Sequence, residues 1–363
     1  MIKDSIPPHP AAEPGPDAIG AGRPSGQARG HASPQRGAVF AALIDSGYAG
    51  LAALIAIVLV APLGFDNSYH YDVAMKMGLN AIVAVGLNLL VGYAGQISLG
   101  HAAFFAIGGY SSAILASRYS VHGLIALPVG AALAGTLAFV VARPILRLSG
   151  HYLAMATLGL GIIVSIVINR EIEFTGGPDG ISVPVLQILG WKLRGPQTWY
   201  WIVAAVLLIV IWLSLNLMRS AFGRGLRALA DSEIAAQTAG LDTAALKARV
   251  FVLSAVIAAL SGSLFANAER FITPDEAGFL RSVELVTMVV VGGMASTFGA
   301  AVGAGLLTLL PQALSGFELW HDFLFGVILV TAMIFLPKGI VPSLHARLIE
   351  RRRAAKPDLS PAP

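Results

Sequence analysis

From residue 48 to residue 337 the chain returns repeatedly to stretches of about 20 predominantly apolar residues, the length an α-helix needs to cross the hydrocarbon layer of a bilayer. The runs fall at 48–65, 73–92, 97–117, 123–143, 151–169, 198–217 and 250–268, followed by a long one at 283–315 and a last at 320–337. Inside lipid each backbone polar group must be satisfied within its own segment, so runs of this length read as helices. The expected fold class is an all-α polytopic membrane protein. Composition agrees: 56% hydrophobic and only 12% charged residues, with a mean hydropathy of +0.75, lie outside the mix of a soluble domain. The 40 glycines suit close helix packing where no hydrophobic drive brings helices together. The absence of cysteine excludes disulfides, thiolate metal sites and thiol nucleophiles.

The run at 283–315 is too long for one span and carries Gly292, Gly293, Gly299, Gly303, Gly305 and Pro311. Dividing it near Ser296 to Gly299 gives about ten transmembrane helices; a re-entrant hairpin at the same place gives a similar count. Lys and Arg in short loops are retained on the cytoplasmic side. With the N-terminus inside, cytoplasmic segments receive Arg143 and Arg147, then Arg219, Arg224, Arg227, Lys247 and Arg249, and finally Arg347, Arg351, Arg352, Arg353 and Lys356. External segments receive fewer, at Arg118, at 170–197 and at 270–282. Ten spans place both termini in the cytoplasm, in keeping with the basic tail. The clustering of basic residues in these loops argues for membrane orientation and against nucleic-acid binding.

Three regions follow: a disordered tail over 1–45, a transmembrane domain over 46–340, and a basic tail over 341–363. Residues 1–45 are rich in Pro, Gly, Ala and Ser without apolar periodicity. The first apolar run begins around Ala49, too late for a cleavable signal peptide, so the tail is expected to stay attached. The external segment 170–197 has the composition of turns, with a short strand expected within Ile181 to Ile188. Trp191, Trp199, Tyr200 and Trp201 lie where it re-enters the bilayer, as interfacial aromatics should.

Two segments stand out as functional candidates. In GLNLLVGYAGQISLGHAAFFAIGGY, Gly86 to Tyr110, the residues Asn88, Gly92, Gln96 and Gly100 recur every fourth position, which on a helix places them on roughly one face. Buried amides in lipid must find partners, so Asn88, Gln96, Ser98 and His101 serve either as helix-packing contacts or as a lining of the substrate pathway. The Gly92 to Gly95 turn also suits a short break between helices. The second segment, Arg219 to Arg249, reads as amphipathic and helical, with Leu226, Leu229, Ile234 and Leu241 apolar, a helix start near Asp231 and a stop at Gly240. It is either an ordinary solvated loop or a docking element for a cytoplasmic partner.

Glu233, Ala235, Ala236 and Gly240, in EIAAQTAG, resemble the EAA loop of ABC importer permeases, and the flanks FGRGLRALADSE and LDTAALKARVFVLSAVIAALSGSLFA resemble the LivM and LivH branch. So do the Gly86 to Tyr110 block, GHYLAMATLGLGIIV (Gly150 to Val164), FTGGPDGI (Phe174 to Ile181) and VVVGGMASTFGAAVGAGLL (Val289 to Leu307), which together cover most of 73–340. The TGGPDG stretch favours a LivM-type permease of the branched-chain amino acid ABC transporter family. The resemblance implies a subunit without catalytic or metal-binding residues that translocates branched-chain amino acids, or related solutes such as urea or amides, across the bacterial inner membrane. It implies four kinds of partner: a LivH-like second permease, two cytoplasmic ATPase subunits, a periplasmic solute-binding protein and the lipid bilayer. It also assigns coupling to the ATPases to Arg224, Ser232, Glu233, Ala235, Ala236 and Gly240 in a cytoplasmic coupling helix. The sequence holds no GxxxxGK[ST] loop, so no cofactor is expected in this chain and ATP is expected to be used by the partners.

An ion-coupled secondary transporter is the rival reading, since it too is a Gly-rich bundle. Such carriers place ionisable residues within spans, whereas here Lys76 and Glu284 sit near span ends, where snorkelling is the ordinary explanation. A membrane-embedded enzyme would need convergent His, Asp or Glu residues. His101, His151 and His321 are far apart in sequence and no HExxH spacing occurs.

Overall fold

The structure, a computed structural model, describes residues 48–313 apart from 147, 149, 189 and 190, together with 326, 330, 339–341 and 343. Residues 1–45, the run at 320–337 save two positions, and nearly all of 341–363 lie outside the described residues. The helices are α1 (Tyr48–Val60), α2 (Ser68–Val91), α3 (His101–Arg118), α4 (Gly123–Ile145), α5 (His151–Arg170), α6 (Ile172–Thr175), α7 (Pro196–Arg219), α8 (Ala221–Asp231), α9 (Glu233–Thr238), α10 (Thr243–Glu269), α11 (Phe279–Gly292) and α12 (Thr297–Ala313). The strands are two-residue pieces: β1 (Ile181–Ser182), β2 (Gln187–Ile188), β3 (Trp191–Lys192) and β4 (Phe271–Ile272).

Among the described residues five helices, α2, α4, α5, α7 and α10, are long and apolar enough to cross a membrane, and α1 and α12 are apolar but shorter. The 14 residues of α11 reach only about 21 Å, less than the roughly 30 Å hydrocarbon thickness. The chain does break inside the long apolar run, at Gly293 to Ser296, because Gly293 and Ala295 take positive φ and end the α11 hydrogen-bond ladder. The polytopic helical class therefore stands, while the described helices do not by themselves supply ten full spans.

Helix α10 is the central strut, 27 residues long or about 40 Å. It packs against α2, α3 and α4, while α7 and α12 pack on α2. Along its span α2 is 78% buried and α5 only 22%, so α2 belongs to the interior and α5 to the rim. The α3–α10 crossing is close because glycines meet backbone there: a Cβ on Gly108 would run into the Ala259 carbonyl, and one on Gly262 into that of Phe105.

Segments 170–197 and 270–282, both expected on the external side, do meet. Strand β1 pairs antiparallel with β4, Ile181 opposite Ile272. The strand expected across Ile181 to Ile188 is instead split between two partners, β1 with β4 and β2 with β3, since Pro184 has no N–H for a continuous ladder. Trp199 and Tyr200 turn inward, Tyr200 donating to the Val58 carbonyl at 2.7 Å, and Trp201 is the exposed member of that trio.

Candidate functional site

The residues Asn88, Gly92, Gln96 and Gly100 do not share a helix face. Helix α2 ends at Val91 and α3 begins only at His101, and Gly95, at φ +66°, turns the chain between them. A period of four residues has no facial meaning once the helix stops, so that expectation is corrected. The four polar candidates Asn88, Gln96, Ser98 and His101 are nonetheless all buried.

Three of them hold the bundle together. The Asn88 Oδ1 accepts from the Ala295 N–H at 3.0 Å, tying α2 to the turn before α12. The Ser254 hydroxyl on α10 donates its one proton to the Gly86 carbonyl at 2.7 Å, so toward His101, 2.7 Å away, it acts as acceptor. That fixes the His101 proton on Nε2 and leaves Nδ1 to accept from Ser98 at 3.0 Å. A neutral imidazole thus joins α2, α3 and α10 with each ring nitrogen partnered. Gln96 differs: its amide nitrogen and oxygen are both buried without a partner among the described residues.

The coupling segment is built by caps. Leu226 and Leu229 bury one face of α8 against the bundle. The chain then breaks at Ser232, one residue past the expected helix start at Asp231. The Ser232 Oγ accepts from the Ala235 N–H at 3.2 Å and starts α9. At the other end Leu241 N–H bonds the Ala236 carbonyl and Gly240 N–H that of Gln237, the Schellman pair, which needs the left-handed φ of +82° at Gly240. Asp242 caps α10 in turn, accepting from Ala245 N–H at 3.0 Å. Glu233 pairs with Lys247 at 2.5 Å and Gln237 donates to Thr243 at 3.0 Å, so α9 is strapped to the first turns of α10. Of the residues assigned to coupling, Ala236 is buried and Glu233 half-buried, while Arg224, Ser232, Ala235 and Gly240 are exposed. Ile234, which the resemblance did not single out, is 76% exposed on the same short helix. Leu241, the fourth residue of the expected apolar face, is exposed as well.

At the other end of α10 lies a charged cluster whose pairing the sequence did not reveal. Lys76, about two turns into α2, pairs with Asp72 at 2.9 Å and with Glu269 at 3.2 Å. Arg281 donates to Glu284 at 2.7 Å and to the Asn80 Oδ1 at 2.6 Å, and its Nε faces Glu276 at 3.2 Å. Asn80 in turn donates to Thr308 on α12 at 2.9 Å. Lys76 therefore reaches a partner on another helix, Glu269 on α10, whereas Glu284 pairs with Arg281 on its own helix, and each keeps about a third of its side chain exposed. These groups line a cavity of about 830 Å³ with Leu79, Phe265, Leu280, Thr287 and Leu307. Burial pushes the Glu276 carboxyl up, with Arg281 pulling the other way. The available signals were the Asp72/Lys76 and Arg281/Glu284 spacings of four and three, which place each pair on one helix face.

A second cavity, about 860 Å³, lies between α1, α2, α7 and α12 and is lined mostly by apolar side chains, with Tyr69, His70, Tyr200 and Gln312 the polar exceptions. A polar solute would find few partners there. None of Asn88, Gln96, Ser98 and His101 lines either cavity. Among the described residues no group of His, Cys, Asp or Glu is arranged to hold a metal ion.

Comparison with known proteins gives one consistent picture. The family described as the permease component of branched-chain amino acid transport systems matches residues 70–333. The LivM permease protein of the high-affinity branched-chain amino acid transport system of Escherichia coli K12 is 32% identical over 330 residues, covering 84% of this chain and 77% of that protein. Its LivH counterpart is 26% identical over 286 residues, covering 72% and 90%. The autoinducer 2 import permease LsrC of E. coli is 28% identical over 223 residues, covering 57% and 63%. No solved structure matches.

Proposed function

Because the chain belongs to the family of permease components of branched-chain amino acid transport systems, we propose that it is the LivM-type half of an ATP-driven importer that carries branched-chain amino acids into the cell. The observation that carries this is the match over residues 70–333 together with 32% identity to LivM across most of both chains. The family match also decides against an ion-coupled carrier, which matters because Lys76, Arg281 and Glu284 form a partly buried charged cluster that such a carrier could use.

In this reading the second permease is LivH-like, two cytoplasmic ATPases hydrolyse ATP, and a periplasmic protein delivers the solute. The chain lies in the inner membrane with about ten spans and both termini cytoplasmic. Segment 1–45 is a cytoplasmic tail, 46–340 the permease domain and 341–363 a basic cytoplasmic tail. Helix α9 is the coupling element, with Arg224, Ser232, Glu233, Ala235, Ala236 and Gly240 setting its position and surface. Its support is geometric: a six-residue helix capped at both ends, exposing Ile234 and Ala235 and strapped by Glu233 and Lys247 to a strut that runs to the far end of the bundle. Of the pathway candidates Asn88, Gln96, Ser98 and His101, Gln96 keeps that role best, since its buried amide has no partner among the described residues.

ATP-driven uptake of labelled L-leucine, L-isoleucine and L-valine into proteoliposomes holding the full complex and its binding protein tests the reading. Uptake that requires both the ATPases and ATP is expected. Uptake driven by an ion gradient after removal of the ATPases would overturn it.

A further inference from the structure

An amino acid crossing a bilayer brings a charged ammonium and a charged carboxylate, and each loses several kcal/mol of hydration unless protein groups replace the water. Among the described residues the interior is held mostly by neutral contacts such as the His101–Ser254 bond, with the Lys247–Glu233 pair at the α9 end of α10. The larger exception is the cavity bounded by α2, α10, α11, α12 and the turn at Pro274–Ala277. At about 830 Å³ it falls in the range of small-molecule sites, roughly 300–1,000 Å³. Its wall is mixed: Leu79, Phe265, Leu280 and Leu307 offer apolar surface, and Lys76 and Arg281 stand among Glu269, Asp275, Glu276 and Glu284. Those six ionisable groups sum to two negative charges.

The ion pairs leave bonding capacity unused. The Glu269 Oε1 and Glu276 Oε2 are buried, yet each faces its cation at 3.2 Å without an aligned hydrogen bond, and the Arg281 Nε is an unfilled donor. Two carboxylates that line the cavity with part of their side chains still exposed, 27% for Glu269 and 21% for Glu276, stand beside an apolar wall and fit an ammonium group attached to an aliphatic side chain. A purely structural ion-pair network would not call for a cavity with partly exposed carboxylates along its wall.

We propose that this cavity holds the solute within the permease and selects it by its protonated amine. The amine is seated at Glu269 and Glu276, and the aliphatic side chain lies on Leu79, Phe265 and Leu307. In the proposed orientation the cavity is at the external end of the bundle, beside the β1–β4 pair, where a binding protein would release its cargo. This rests on the import reading above and adds the site and the group recognised.

The chain has no cysteine, so Thr287→Cys introduces a single thiol into the cavity wall. The assembled complex carrying it is treated in right-side-out vesicles, without ATP, with a trimethylammonium-ethyl thiosulfonate and separately with a sulfonatoethyl thiosulfonate. Labelling of this chain is followed by mass. The cationic reagent is expected to react at least tenfold faster, and millimolar L-leucine to slow it severalfold while 4-methylpentanoate, the same skeleton without the amine, does not. Equal rates for the two reagents, or equal protection by the two solutes, would overturn the proposal. Should Thr287→Cys impair assembly, Thr308→Cys on the opposite wall gives the same readout. The labelling needs no transport, so amine-selective labelling in a complex that takes up no branched-chain amino acid would count against the import reading alone.

Discussion

The two ends of α10 use charge in opposite ways. At the end near α9 a single ion pair, Lys247 with Glu233, joins two caps and a glutamine contact into a closed set of bonds with no cavity described beside it. At the other end five ion-paired residues with Asn80 and Thr308 surround open space, and three of their buried atoms have no aligned hydrogen bond. Between them the His101–Ser254–Gly86 chain is neutral and fully partnered. Bonds closed on themselves suit an element that must keep its shape while transmitting force. Bonds left open suit a place that exchanges its partners with a passing solute.

The largest effect should come from removing the cation that the acidic end shares. Arg281→Met strands Glu276 and Glu284 in a mostly buried setting, and a loss of about 3 kcal/mol is expected, read as a lower melting temperature of the detergent-solubilised complex. A melt within error of wild type would mean that water already screens the cluster.

Next is the neutral joint. His101→Leu leaves Ser98 and Ser254 without their shared partner at a cost of about 1–3 kcal/mol, with no change in which solute is carried. A switch in solute preference would return His101 to the pathway.

At the α9 end the effects on stability are smaller and those on coupling larger. Ser232→Ala removes the cap at about 1 kcal/mol, and Glu233→Gln weakens a partly exposed pair by under about 1 kcal/mol. Both variants should insert and fold, with solute-stimulated ATP hydrolysis reduced in the assembled complex. Unchanged stimulation in both would show that α9 is a passive loop.

The smallest expected effect is one of pH. Glu276 faces Asp275 on its own turn, Arg281 and Glu284 on α11 and Tyr110 on α3, and burial raises its pKa. On acidification from about pH 7.5 it therefore takes up a proton sooner than an ordinary glutamate near 4.3, removing negative charge from the cavity. The cationic-to-anionic labelling ratio at Thr287→Cys should fall as pH falls, beginning above the ordinary carboxylate range. A ratio flat down to that range would place Glu276 in water.

How much of this was legible in the sequence follows from the range over which each signal acts. The α9 element was readable because its start and stop are local: Ser232 caps a nearby N–H, and Gly240 supplies a backbone conformation few other residues adopt. The break within 283–315 was readable from its length and glycines. The fourfold repeat from Asn88 to Gly100 misled because periodicity assumes a continuous helix, and the positive φ at Gly95 lies inside it. The charged cavity was missed because its members come from α2, α10, α11, α12 and a turn. Lys76 and Glu269 are brought together only when α2 packs on α10, and a lone charge near a helix end gives no sign of its distant partner.

The division of labour between the two ends predicts one coupled observation. In the complete complex, ATP binding to the ATPases should change the labelling rate of Thr287→Cys severalfold, and Ile234→Asp, which places a charge on the exposed face of α9, should abolish that change while leaving the rate without nucleotide as it was. A labelling rate indifferent to nucleotide in the complex with unaltered α9 would contradict the link between them.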